Sequence, residues 1–529
     1  MDTIKKLISG SDIEFIDSLL DFTEKYETHL TFDELNRDNL RNDVWDSIFK
    51  RLQQAKYFTI HERCLHVLRI LSRDKTGLDD LINDERLNLI IKNASLDKKE
   101  SVKSSATFTN VTQESLKLLC NLLFNSSTVQ QKIGETSCLP CIVERMKNYD
   151  ETVPHNIKLF DTRILFLSTA LNSSLRKVVK NELNGDLCLM EMLKKLANDF
   201  ESTQCPIKND EVVVASEILK VLFNLYINVE ESRNEEMERY QNLAEICYKL
   251  LVNKGAHKIA NEIELHSNII NILTVIPYNC YNPLIQPIGD ADGGIIYEKM
   301  NMTAIDRLLK FLDEKLNGSS DLVPNLSPVT TALIRLVKSN RLIRKYVRSQ
   351  ILPPLKDVMK RPEEGSTLRA KLCKLLTCPI TELSDLVAEL IFVLCKENVS
   401  RMVKYTGYGN AAGMFANKGL LGRGQSANSS AYSSESEDSD TEEYTKYKEN
   451  INPVTGCYEH PKPNPLEGMS DEQKEYEAMK LVGLVDQLTK QGVVQPCRIG
   501  EDGKPKPIEH ILELQEELPK LNMNNQTND

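Results

Sequence analysis

The sequence predicts an all-α protein: an armadillo/HEAT-repeat superhelix, or α-solenoid, followed by a flexible C-terminal tail that carries one amphipathic helix. Three observations predict it. A leucine-rich segment punctuated by asparagine recurs roughly every 50 residues, the period of the two- or three-helix armadillo and HEAT unit. Up to about Lys404 the text reads as helical, and beyond it the composition turns to glycine, then serine and acid, then proline. With 41% hydrophobic and 27% charged residues over 529 positions, there is more core-forming material than one compact domain holds.

The recurring helices begin with LHVLRILSRD from Leu65, LKLLCNLLFNSS from Leu116 and RILFLSTALNSS from Arg163. They continue as EILKVLFNLYIN from Glu217, NIINILTVIP from Asn268, VTTALIRLVKSN from Val329 and LVAELIFVLCKEN from Leu386. One such unit cannot bury its own apolar face, so neighbours must stack into a curved rod with a long concave surface. That architecture points to binding another macromolecule. Two loops interrupt the repeats: Asn93 to Gln113, rich in Ser, Thr and Lys, and Tyr278 to Tyr297, whose NPLIQPIGDADGG is full of turn formers. Trp45, the only tryptophan, falls in DVWDSIFKRL, an amphipathic helix of the N-terminal cap, and is expected in the core.

Composition narrows the function classes. A net charge of −11 argues against general nucleic-acid binding, which needs a basic surface. No run of about 18 apolar residues occurs, and MDTIKKLISGSDIEF has no apolar core with a cleavage site, so a cytoplasmic protein is expected. The 13 cysteines are an odd number scattered through leucine-rich segments, as reduced, buried, small apolar residues would be. Cys138 and Cys141 form a CLPC pair, but no second CxxC or HxxxH follows at metal-ligand spacing. No metal and no cofactor is expected.

The expected domains are residues 1–404 for the repeats, 405–424 for a glycine-rich connector, 425–450 for an acidic linker and 451–529 for the tail. In the connector, Gly407, Gly409 and Gly413 have a spacing superficially like that of a dinucleotide loop, but the preceding text is helical where that loop needs a strand. In the linker, Ser434 and Ser439 each have an acid three residues on, Glu437 and Glu442, the pattern that acidophilic kinases accept. Each phosphate would add nearly two negative charges. A matching basic stretch lies within the repeats: Arg335, Lys338, Arg341, Arg344, Lys345, Arg348, Lys356, Lys360 and Arg361, with Asp357 as its single acid. Arg pairs strongly with phosphate, so Arg341, Arg344, Lys345 and Arg348 are the expected docking residues.

The tail starts as a proline-punctuated extended stretch, INPVTGCYEHPKPNPLEGMS from Ile451. A helix of about 470–490 follows, with Ser470 as cap and Gln473 at the capping-box position. Tyr476, Met479, Val482 or Gly483, and Leu481, Leu484, Val485 and Leu488 give it an apolar stripe that should dock on the rod or on a partner. PIEHILELQEEL from Pro507 is expected to behave likewise, and residues after Leu518 to be disordered.

Several blocks together resemble the synembryn family, also called resistance to inhibitors of cholinesterase. They are LRILSRD from Leu68, LCNLLFNSS from Leu119, DTRILFLSTAL from Asp161, ILPPLKDVMKRPE from Ile351, KYTGYGNAAGMFANKGLL from Lys404, INPVTG from Ile451 and NPLEGMSDEQKEYEAMKLV from Asn464. The likeness runs in unbroken order from about Leu65 to Val485; the N-terminal 60 residues and everything after Gln495 match poorly. The resemblance implies a cytosolic chaperone of nascent G-protein alpha subunits that also acts as their non-receptor guanine-nucleotide exchange factor, with no covalent catalysis. It implies a concave face that grips the C-terminal helix of the alpha subunit, with the tail helix, through residues such as Tyr476, Met479 and Leu484, on the GTPase core. Carried over by position, the gripping residues are Arg69, Arg73 and Asn121, and the phosphorylated ones Ser434 and Ser439. Membrane association, at the cell cortex, would come through the partner. Val275 departs from the family, which carries asparagine there.

Two other classes bound this reading. A generic armadillo adaptor for extended peptides would present a ladder of concave Trp and Asn, and the one Trp lies outside any repeat. An enzyme built on the CLPC pair or the glycine stretch would lack a positioned base and a metal set.

Overall fold

The computed structural model describes residues 2–37, 39–97, 108–202, 208–227, 234–253, 261–287, 294–318, 321–421, 440–460, 465–500, 502 and 504–508. The chain forms two compact units, Met1–Gln286 and Pro287–Asp529. Both are helical, as the sequence predicts.

The first unit opens with a cap of helices Asp2–Ser9, Asp12–Tyr26 and Leu40–Leu52. Ser11 starts the second of these with a capping box: its hydroxyl accepts from the Glu14 N–H, and the Glu14 carboxylate accepts from the Ser11 N–H at 2.8 Å. Trp45 is fully buried in this cap and stacks on Phe49 with ring centroids 5.7 Å apart, so it is core as expected.

After the cap, the same three-part unit repeats: a long rung helix, a short helix and a second long helix. His61–Leu71, Leu78–Leu81 and Asp84–Asn93 form one, and Asn110–Asn125, Ser127–Lys132 and Cys138–Lys147 the next. His155–Leu171, Ser174–Lys177 and Gly185–Ser202 follow, and then Asn209–Tyr226 with Asn234–Val252. Glu262–Val275 is the last rung of this unit. Each rung packs on the next, and the second long helices, Cys138–Lys147, Gly185–Ser202 and Asn234–Val252, pack on one another as a second layer. This two-layer stacking of three-helix units is an armadillo-type ladder.

The asparagines that punctuate the sequence have a physical use here. Asn125 Nδ2 donates to the Ser72 carbonyl at 2.9 Å, and Asn172 Nδ2 to the Gln130 carbonyl at 3.1 Å, each satisfying an orphan carbonyl of the preceding unit. Asn172 Oδ1 also accepts from the Ser174 N–H at 3.1 Å, which helps turn the chain into the short helix. A buried ion pair adds a second tie between repeats. Arg145 Nε donates to Asp161 Oδ2 at 2.8 Å, its Nη1 donates to the Ala94 carbonyl at 3.0 Å, and the Tyr149 hydroxyl donates to Asp161 Oδ2 at 2.6 Å.

In the second unit, Leu322–Ser339 packs against Thr303–Leu316, Arg341–Ile351 and Thr381–Leu394. The helical text continues past Lys404. Val399–Thr406 is followed at once by Tyr408–Asn417, and only Gly407, at φ +73°, breaks the two. The INPVTGCY segment, read in sequence as extended, folds into a small hairpin, Ile451–Asn452 paired with Cys457–Tyr458. Its turn lies on Gly407: a Cβ there would sit 2.9 Å from the Val454 carbonyl oxygen. The amides of Tyr408 and Gly409 donate to the Pro453 and Val454 carbonyls at 2.8 and 2.9 Å. The glycine spacing therefore serves a close backbone contact, and residues 405–417 are packed helix where the sequence suggested a connector.

The tail helix spans Asp471–Lys490 with its capping box intact, Ser470 Oγ accepting from the Gln473 N–H and Gln473 Oε1 from the Ser470 N–H. Beyond it, Cys497–Ile499 pairs antiparallel with Pro505–Pro507. That strand replaces the start of the helix-like element expected from Pro507; its remainder, and everything after Leu518, lies outside the described residues.

Candidate partner-binding cleft

Asn121 and Arg69 come together because consecutive rungs stack. Asn121 Nδ2 donates to the Arg69 carbonyl at 3.1 Å and to Ser72 Oγ at 3.2 Å. The same pair of bonds recurs two rungs on, where Asn224 Nδ2 donates to the Phe166 carbonyl at 3.3 Å and Thr169 Oγ1 at 3.1 Å. Asn121 is therefore first an inter-rung tie.

The cations around it are held by a second recurring device. Glu114 accepts from Arg69 Nε at 2.9 Å and from Lys117 Nζ at 2.6 Å. Glu217 accepts from Arg163 Nη2 at 2.9 Å and lies 3.4 Å from Lys220 Nζ, which reaches Glu264 at 2.8 Å. The spacing Glu-x-x-Lys-x-x-x-Asn is shared by Glu114, Lys117 and Asn121 and by Glu217, Lys220 and Asn224. That repeat was present in the sequence and would have found Lys117 and the two glutamates, which the sequence reading missed.

Between the rungs lies a cleft of about 460 Å³ lined by Arg69, Lys117, Cys120, Asn121, Phe124, Phe160, Arg163 and Leu167. Three cationic side chains rim an aromatic and aliphatic floor. Phe124 is exposed and lies under Lys75 Nζ, 5.1 Å from the ring centroid. Cys120 is no nucleophile, since burial pushes its thiol up to about 12.

Arg73 is bound at the edge of the same rung. Its Nη1 donates to the Glu27 carbonyl and to the His29 carbonyl at 3.5 Å, and its Nη2 lies 3.3 Å from Glu27 Oε1. Glu27 Oε1 is also 3.5 Å from Arg69 Nη2, and Glu27 Oε2 is 2.8 Å from His66 Nε2. Burial works against the Glu27 carboxylate, yet the His66 hydrogen bond and the charges of His66, Arg69 and Arg73 hold it below the usual glutamate range.

The other expected residues lie in the second unit. Tyr476, Met479 and Leu484 are 69%, 59% and 52% exposed, and the tail helix has no buried residue, so its stripe is uncovered. Arg341, Arg344, Lys345 and Arg348 share the helix Arg341–Ile351. Arg344 Nη1 donates to the Val337 carbonyl at 2.9 Å, and Lys345 Nζ lies 3.3 Å from Glu298 Oε1. Arg348 departs from the expectation: it is only 7% exposed, with its guanidinium 5.9 Å from the Tyr405 ring, because it sits on the helix face that packs into the core. Ser434 and Ser439 lie outside the described residues. The linker's end is visible at Asp440, whose carboxylate accepts from Lys404 Nζ at 2.6 Å and Lys448 Nζ at 2.9 Å.

The CLPC pair is buried at the start of the Cys138–Lys147 helix, and burial pushes the Cys138 thiol well up. Among the described residues, no group of three or more His, Cys, Asp or Glu is placed to hold a metal ion. Among them, too, no helix is long and apolar enough to cross a membrane.

Fold and cleft together define a helical-repeat protein with a cation-rimmed, aromatic-floored groove. A family model described as guanine nucleotide exchange factor synembryn matches residues 64–504, and the chain belongs to that family. It is 37% identical to "Chaperone Ric-8" of Drosophila pseudoobscura pseudoobscura over 559 residues, covering 97% of both chains. It is 37% identical to "Chaperone Ric-8A" of Gallus gallus, covering 95% of both, and 34% identical to that of Mus musculus, covering 97% of this chain and 95% of the other. A crystal structure of SYS-1 aligns with TM-score 0.41 at 12% identity, over 74% of this chain and 67% of that one.

Proposed function

We propose that this chain binds G-protein alpha subunits through the cleft lined by Arg69 and Asn121, with Arg73 beside it on the same rung, and stabilises their nucleotide-free state. It thereby acts both as a folding chaperone for them and as their exchange factor. The observation that carries this reading is the cleft itself, whose cationic rim and aromatic floor suit an amphipathic helix ending in a carboxylate. Arg69 and Arg73 supply charge, Asn121 an amide edge, and Phe124, Phe160 and Leu167 the apolar seat.

Exchange needs no covalent catalyst. A protein that binds the empty GTPase better than the loaded one must weaken nucleotide binding by the same factor. Holding the opened GTPase until GTP arrives also stabilises it by mass action, which is chaperoning. The tail helix is the second contact: Tyr476, Met479 and Leu484 present an uncovered stripe that suits the GTPase core. Two weak contacts on one chain reinforce each other through effective concentration.

An acidophilic kinase acts on Ser434 and Ser439, and the phosphates dock on the basic helix at Arg341, its exposed arginine, with the half-buried Arg344 and Lys345 beside it. Recruitment to the cell cortex comes with the membrane-bound partner. The test is a pull-down with GDP-loaded alpha subunit. A complex that forms without GTP, loses its GDP, and dissolves when GTP is added supports the reading. A complex that keeps its GDP, or that ignores GTP, refutes it.

A further inference from the structure

Glu27 belongs to neither the family blocks nor the cleft lining, yet its carboxylate lies among the cations of the first rung. It is 3.3 Å from Arg73 Nη2, 3.5 Å from Arg69 Nη2 and 2.8 Å from His66 Nε2. We infer that Glu27 is an internal stand-in for the ligand carboxylate: in the free protein it occupies the Arg69 and Arg73 guanidiniums, and a partner's carboxylate must displace it.

Three features make displacement the fitting reading. Arg73 Nη2 donates to Glu27 Oε1 at 3.3 Å and Arg69 Nη2 lies 3.5 Å from the same oxygen, neither in the fork-to-fork pairing that a guanidinium and a carboxylate can form, so a better-placed carboxylate can compete for both. The Glu27 side chain is 44% exposed, so on swinging into water it regains hydration that offsets the loss of its 2.8 Å bond to His66. The guanidiniums stay positioned when it leaves, because Glu114 holds Arg69 Nε at 2.9 Å while the Glu27 backbone carbonyl holds Arg73 Nη1. The station is thus preorganised for one carboxylate and carries its own competitor. Its consequence is specificity, because a neutral ligand end gains nothing from displacing a charge.

This inference rests on the proposed grip of a C-terminal helix, and its test separates the two. The probe is a peptide spanning the C-terminal helix of an alpha subunit, made as the free acid and as the C-terminal amide. Binding to the full chain is measured by calorimetry for wild type, Glu27→Gln and Glu27→Asp. In Glu27→Gln the free acid should bind about threefold to fivefold tighter, the scale of an exposed ion pair, while the amide binds as before. Glu27→Asp, which keeps the charge on a shorter stem, should gain in the same direction but less, and it carries the test if Glu27→Gln melts. If the variants bind the acid no tighter than wild type, or lose acid and amide binding equally, Glu27 only braces the fold and the inference is wrong. If neither peptide binds any of the proteins, the proposed grip fails and this inference with it.

Discussion

Replacing Asn121 by alanine separates two uses of one amide, and Asn224 provides the control. Both side chains donate two hydrogen bonds to the preceding rung, at 3.1 and 3.2 Å for Asn121 and at 3.3 and 3.1 Å for Asn224. A net bond contributes about 1 kcal/mol. The Arg69 carbonyl keeps Ser72 Oγ at 2.7 Å, and the Thr169 hydroxyl, which donates to the Leu165 carbonyl at 2.8 Å, is within 3.2 Å of the Phe166 carbonyl and can turn to it, so neither need be orphaned by the change. Each Asn→Ala should therefore cost the first unit about 1 to 2 kcal/mol. Urea unfolding followed through Trp45, the only tryptophan and fully buried in the cap of that unit, reads this directly. Binding should then split the pair. Asn121 lines the cleft and Asn224 does not, so Asn121→Ala should weaken the alpha-subunit complex by about fivefold to tenfold and Asn224→Ala should leave it unchanged. Equal loss of affinity in both variants would mean that rung loosening, and not a ligand contact, is being measured. No loss of stability in either would refute the inter-rung tie itself.

Gly407→Val should cost about 1 to 3 kcal/mol, because the new Cβ meets the Val454 carbonyl at a φ that L-residues avoid; faster hydrogen exchange at the Tyr408 and Gly409 amides would report the freed hairpin. Changing Tyr476, Met479 and Leu484 together to serine should leave the melting temperature alone, since none is buried, and slow GDP release from the partner about tenfold or more. An unchanged rate would remove the tail helix from the exchange machinery. The hydrogen bonds from Lys404 and Lys448 hold the Asp440 carboxyl below the usual aspartate range, so its tie is present above that range and is lost as pH falls through the lowered value. Protection of the Tyr444 amide, its exchange rate relative to that of an unfolded amide at the same pH, should fall in that acid window and hold above it. Finally, on kinase-treated protein, Ser434→Ala with Ser439→Ala should lower exchange to the level reached by Arg341→Glu with Arg344→Glu, and combining the pairs should add little. Simply additive defects would leave the linker a spacer. Arg348 is left out of that pair because its burial makes reversal a folding defect.

What the sequence determined by itself was everything that rests on local periodicity and nearest-neighbour chemistry. The leucine-rich rungs, the buried Trp45 and the Ser470–Gln473 capping box follow from residues three to seven apart, and the chain's physics at that range does not depend on the rest of the fold. The contiguous blocks gave the family, which the match over residues 64–504 bears out. The recurring Glu-x-x-Lys-x-x-x-Asn was equally legible and went unread. Tertiary structure alone decided which charges meet. Glu27 reaches Arg69 and Arg73 across more than 40 positions because the cap helix ends beside the first rung, and no spacing rule encodes that contact. The same holds for Arg348, which lies in a basic run that looks solvated until the helix face it occupies is packed, and for Gly407, whose need for no side chain comes from a hairpin some 47 residues downstream. Long-range pairing depends on how whole elements stack, and the energy that selects it is spread over the interface, so it leaves no signature in any short stretch of the chain.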